Sequence, residues 1–176
     1  CIRDSNETSM PGGAGNVVRN LAALGANVTF IAMTGKDAAG EELLQVLCES
    51  PLVTANLVAD PARSTTIKVR YVAGNQQMLR ADWEADPTLD QNIADDLLKR
   101  AIDAVAGCDA VVLSDYDKGV LADGRAVAII NAAKTANIPV IVDPKGDDYA
   151  RYKGAYLITP NRKEPVSYTH LRAHET

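Results

Sequence analysis

A chain of 176 residues, 47% apolar and 23% charged, holds enough apolar material for a globular core and lacks the bias of a disordered segment. Its formal net charge of −5 speaks against a nucleic-acid or anionic-membrane surface, while leaving room for a local basic pocket. No apolar run reaches the length of a membrane span, and Cys1, Cys48 and Cys108 are scattered and never spaced Cys-x-x-Cys. This argues against zinc or a disulfide framework and suits a reducing cytoplasm.

The first organised stretch is Pro11-Gly12-Gly13-Ala14-Gly15-Asn16, followed by a helical run from Val17 to Leu24 with Gly25 as its stop. Glycines strip side chains from the turn so that backbone can approach a ligand, and Asn16 at the helix start can cap free N–H groups or reach a hydroxyl. Gly13-x-Gly15 begins like a dinucleotide fingerprint, but Val18 stands where its third small residue belongs, and no Gly-Lys-Ser/Thr phosphate loop follows. A plain structural turn is the third reading. A strand over Val28–Met33 ends at Thr34-Gly35. A helix is expected over Ala38–Cys48, with Leu43, Leu44 and Leu47 on its buried face, and a strand over Leu52–Ala59.

Thr65–Val72 alternates, Ala73-Gly74-Asn75 turns, and Gln76–Asp82 returns, giving a basic hairpin with little core of its own. Lys68, Arg70 and Arg80 either face an anionic ligand or line a solvated face. After a helix over Thr88–Ala106 the pattern alternates strand and helix. Strands over Ala110–Leu113, Ile138–Val142 and Ala155–Ile158 enclose a helix over Gly124–Ala136 and a short helical link at Tyr149–Tyr152. Short, continuous apolar strands in this order imply an α/β fold with a mainly parallel, doubly wound, helix-covered sheet. Each strand runs into polar residues: Ser114-Asp115-Tyr116-Asp117-Lys118-Gly119, Asp143-Pro144-Lys145-Gly146, and Thr159-Pro160-Asn161-Arg162-Lys163-Glu164. Ligands of open α/β sheets bind at that edge, and lysines beside acids suit a phosphorylated ligand with a divalent cation.

These residues carry a resemblance. Gly12-Gly13-Ala14-Gly15-Asn16, then Gly25, then Gly35 is similar to the first signature of the ribokinase-like (PfkB) sugar kinases, with Val18 departing from its usual small residue. The three strand ends, with Asn75-Gln76-Gln77-x-Leu79-Arg80-x-Asp82, resemble the heptose 7-phosphate kinase branch of that family. The resemblance implies a ribokinase-like domain with a β-lid at about residues 65–82. It also implies transfer of phosphate from ATP, with Mg2+, to the anomeric hydroxyl of D-glycero-D-manno-heptose 7-phosphate, a step toward ADP-heptose for lipopolysaccharide. By the same resemblance Gly12, Gly13 and Asn16 hold sugar hydroxyls, and Lys68 and Arg80 reach the sugar or its phosphate from the lid. Asp115 holds substrate, with Lys118 near the phosphate. Asn161, Arg162, Lys163 and Glu164 attend the nucleotide, with Glu164 organising the metal through water, and Lys145 is either a nucleotide contact or a surface residue. Partners are then a small sugar phosphate and, through the lid, a second copy of the chain, with no nucleic acid or membrane. Another sugar kinase, a non-catalytic sugar-phosphate-binding remnant and a nucleotide-dependent oxidoreductase are the alternatives.

The family's catalytic aspartate sits in a Gly-Ala-Gly-Asp motif that these residues do not contain, so the chain alone is expected to be inactive. Residues 1–165 read as part of one kinase domain. Val166–Thr176 resembles the read-through of a sequencing adapter, so its two histidines, His170 and His174, are set aside as ligands.

Overall fold

The computed structural model describes residues 7–146 and 148–161. The chain divides after Ala101 into two compact units.

In the first unit, helix α1 spans Gly13–Ala23, strand β1 Val28–Gly35, helix α2 Ala38–Cys48 and strand β2 Val53–Asp60. β1 and β2 pair in parallel, from Val28 opposite Val53 to Gly35 opposite Asp60. Val18 and Ala22 of α1 and Leu43 and Leu47 of α2 pack with Val28, Phe30, Val53, Ala55 and Leu57, so alternate strand residues meet helical residues spaced four apart. Val18, out of place in the signature, is a core residue. Leu44, expected on the buried face of α2, is 40% exposed because the covered arc takes Gly40, Leu43 and Leu47. α1 starts four residues before its expected position. Gly15 is buried so close to Pro11 that a Cβ there would lie 2.7 Å from the proline Cβ, and this packing overrides the poor helix propensity of Gly-Ala-Gly. Its end follows the expected stop: Gly25, at φ 89°, donates to Ala22 O while Ala26 donates to Leu21 O.

Strands β3 (Ile67–Ala73) and β4 (Gln76–Trp83) form the expected antiparallel hairpin, with a bulge between Tyr71 and Val72. Helix α3 spans Gln91–Val105 across the boundary between the units.

In the second unit, β5 (Val111–Ser114), β6 (Val140–Asp143) and β7 (Leu157–Ile158) form one parallel sheet in that order. Helix α4 spans Arg125–Thr135 and packs against a single 3₁₀ turn, Tyr149–Tyr152. Leu113, Val140, Val142, Ile129, Ile130, Ala133, Tyr149 and Tyr152 are buried. β6 begins two residues later than expected. Pro139 has no N–H for the ladder and contributes only its carbonyl, which accepts from Val111 N.

Candidate functional site

The α1 entrance is open. Its N-cap is Gly12, extended at φ −92° and ψ 175°, with no side-chain cap, so Asn16 lies in the second turn of the helix and caps nothing. Gly12, Gly13 and Asn16 are exposed, and a Cβ built on Gly12 meets nothing within 4 Å. The fold therefore does not require glycine at position 12. A ligand approaching the backbone at a helix N-terminus would require it.

The hairpin register sorts its residues into two faces. Ile67 opposite Trp83, Val69 opposite Ala81 and Tyr71 opposite Leu79 form the apolar side, while Lys68 opposite Asp82 and Arg70 opposite Arg80 form the charged side. Arg70 and Arg80 are like charges placed directly across the ladder, an unfavourable pairing that an anion would relieve. Lys68 and Arg80 have partners on the hairpin itself. Lys68 Nζ lies 2.5 Å from Glu84 Oε1 and 3.1 Å from Asp82 Oδ2, and Arg80 Nε lies 3.0 Å from Asp82 Oδ1. The bonds to Glu84 and then Asp82 raise the Lys68 ammonium above its ordinary 10.5, so it keeps its charge. Any anion bound here shares that charge with two carboxylates.

The three polar strand ends of the second unit lie along one edge, because β5, β6 and β7 run parallel and in register up to Ser114, Asp143 and Ile158. Asp115 N then donates to Asp143 O and Thr159 N to Val142 O, extending the ladder into the loops. Asp115, Asp143, Lys145 and Asn161 therefore start from a common sheet edge, with Lys118 on the loop that follows β5. Ser114 Oγ, at the same edge, is buried without a hydrogen-bond partner.

Asp115 has partners within its own unit. Its residue is 5% exposed, and its carboxylate is taken up internally. Oδ1 accepts from Asp117 N at 2.8 Å, Oδ2 accepts from Tyr152 Oη at 2.6 Å, and the Arg151 guanidinium stands 3.4 Å from Oδ2. A carboxylate so filled fastens the 3₁₀ turn to the end of β5. Burial first, then the bond to Asp115, pushes the Tyr152 hydroxyl well above its ordinary 10.0, while the Lys145 backbone amide pulls the other way. Tyr152 thereby links the loops after β5 and β6. Arg125, also buried, donates to Gly119 O at 2.6 Å and Val120 O at 3.0 Å, bracing a loop in which Asp117 and Asp123 both adopt positive φ. Tyr152 and Arg125 carry no local sequence signal, since their partners are set by tertiary packing. Arg162, Lys163, Glu164, His170 and His174 lie outside the described residues.

Residues 2–172 match the sequence profile of the pfkB family carbohydrate kinases. The bifunctional protein HldE of Caulobacter vibrioides is 51% identical over 168 residues, 96% of this chain and 34% of that protein. The protein of the same name from Rhodospirillum rubrum is 46% identical over 170 residues, 97% of this chain and again 34% of its own length. The chain thus spans about a third of the curated relatives it matches. Among solved structures, the tetrameric inhibited form of phosphofructokinase-2 from Escherichia coli superposes with a TM-score of 0.71 at 26% identity, covering 93% of this chain and 54% of the other. Parallel strands alternating with helices make this an α/β protein, and the family match places it in the carbohydrate kinase class. The chain belongs to the pfkB family, with the ribokinase-like fold.

Proposed function

We propose that the protein carrying this chain transfers phosphate from ATP to the anomeric hydroxyl of D-glycero-D-manno-heptose 7-phosphate, serving ADP-heptose synthesis in the cytoplasm. The convergence of three polar strand ends on one sheet edge is the observation that carries this reading. The heptose assignment draws support from near-half identity to bifunctional HldE proteins over almost the whole chain. Residues 1–165 are read as part of one such kinase domain, with residues 166–176 outside it. In this reading the backbone at Gly12 and Gly13 and the amide of Asn16 hold sugar hydroxyls, and Lys68 and Arg80 meet the 7-phosphate with Arg70 beside them. Lys118, Lys145 and Asn161 serve the anionic groups at the sheet edge. Asp115 acts by holding the loop that carries Lys118.

ATP supplies the phosphoryl group, and the lysines are suitable point charges for its phosphates. The described residues do not group three His, Cys, Asp or Glu side chains to hold a metal, and Mg2+ enters the proposal only through Glu164. No step is derived through it. No described helix is long and apolar enough to cross a membrane. The exposed apolar side of the hairpin, with Tyr71 at 47% and Leu79 at 58% exposure, suits pairing with a second copy of the chain.

The test is phosphoryl transfer by the protein carrying this chain, followed by phosphorus NMR. Heptose 7-phosphate should become a 1,7-bisphosphate, while equal turnover of fructose 6-phosphate would refute the heptose assignment. Residues 1–176 alone should turn over neither.

A further inference from the structure

We infer that Asp37 and Thr65 are positioning residues that fix the base of the β3–β4 hairpin and, through it, the bearing of Lys68 and Arg80 on a sugar phosphate. The phosphate clause rests on the function proposed above; the anchoring does not.

The hairpin has little packing of its own, since along β3 and β4 only Val69 and Ala81 are half-buried and every other residue is exposed. Its bearing must therefore be set where the chain leaves β2. That exit is heavily determined. Asp60, 4% exposed, accepts from Ala62 N through Oδ1 at 2.9 Å, and its carbonyl accepts from Arg63 N and Lys36 N, each at 3.3 Å. The turn so formed brings Thr65 back onto the end of β1. Thr65 Oγ1 accepts from Gly35 N at 2.9 Å and donates to Asp37 Oδ1 at 2.6 Å, while Thr65 N donates to Asp37 Oδ2 at 2.8 Å. Asp37 Oδ1 also accepts from Gly40 N at 2.9 Å, as the N-cap of α2.

One carboxylate thus joins three segments: the end of β1, the start of α2 and the approach to β3. Two glycines make the approach possible. A Cβ on Gly35 would stand 2.5 Å from Arg63 O and 2.6 Å from Thr65 N, and one on Gly40 would stand 2.7 Å from Gly35 O. Lys68 follows Thr65 by three residues, so loosening the knot moves the charged face of the hairpin with it.

Spin labels on the exposed Cys48 and on N75C at the hairpin tip, with Cys1 and Cys108 changed to Ser, report the hairpin's bearing as a distance distribution. The parent should give one narrow distribution. Thr65→Val and Asp37→Asn should broaden it, and Thr65→Ser, which keeps the hydroxyl, should restore it. Calorimetry in the same variants should show about a tenfold loss of affinity for D-glycero-D-manno-heptose 7-phosphate with Thr65→Val and Asp37→Asn. Affinity for the unphosphorylated heptose should not change. An unbroadened distribution in both variants overturns the inference, as does an equal loss for both sugars. A broadened distribution in a chain whose parent binds neither sugar supports the anchor and refutes the proposed substrate.

Discussion

Replacing Tyr152 by Phe removes one hydroxyl from a fully buried ring and leaves the ring volume in place, so the change reads a hydrogen bond and no cavity. The bond lost is the 2.6 Å donation to Asp115 Oδ2, a buried charged acceptor. Hydrogen bonds to charged groups contribute about 1.5–3 kcal/mol. Asp115 keeps the Asp117 amide on its other oxygen and the Arg151 guanidinium at 3.4 Å, which places the loss nearer the lower end, at about 2 kcal/mol. For a unit of this size that corresponds to roughly 8–16 °C in Tm. The sharper assay is a urea-unfolding double-mutant cycle with Asp115→Asn, which keeps the shape and removes the charge. Direct contact predicts a coupling of about 1.5 kcal/mol. A coupling below about 0.5 kcal/mol would refute the view that Asp115 is held inward by Tyr152.

Three other outcomes are expected. The folded-state pKa of Tyr152 is raised, so its contribution is complete below 10.0 and is lost as pH rises above it, where the unfolded chain binds fewer protons than the native one; urea midpoints should fall above pH 10, and less so in Tyr152→Phe. Asp37 is held below its ordinary 3.8 by the Thr65 hydroxyl first, then by the Thr65 and Gly40 amides, so its stabilisation is present above 3.8 and is lost as pH falls through the lowered value. Acid unfolding of Thr65→Val should accordingly show a shallower dependence on pH than that of the parent chain. Gly35→Ala, which forces a Cβ to within 2.5 Å of Arg63 O, should cost about 2–3 kcal/mol by chemical unfolding, whereas Gly12→Ala, with nothing within 4 Å, should cost no more than about 1 kcal/mol, for the poorer N-cap, and should weaken sugar binding.

Much of this architecture was legible because local rules and packing agree. The bounds of α2 follow from apolar residues at helical spacing over Ala38–Cys48, and the hairpin follows from alternation about Gly74-Asn75. The polar strand ends could be placed on one edge because strand–helix alternation imposes parallel strands. The illegible parts depend on distance. Tyr152 lies 37 residues from Asp115, and nothing near either one announces the pair. The hairpin's basic residues were visible, but Asp82 stands opposite Lys68 only once register is known. The early start of α1 was hidden by glycines whose propensity points away from helix. The two roles of Asp37, capping α2 at Gly40 and holding Thr65, emerge only from the structure.

The most direct test of the central claim is calorimetric titration of the chain with D-glycero-D-manno-heptose 7-phosphate, alongside the unphosphorylated heptose and inorganic phosphate. Saturable binding to the sugar phosphate, weakened at least tenfold without the 7-phosphate and abolished by Gly12→Val, is the expected result, in keeping with the loss of charge-assisted contacts worth about 1.5–3 kcal/mol. Equal affinity for the two sugars, or binding that survives Gly12→Val, would contradict a sugar-phosphate site built on the α1 turn and the hairpin.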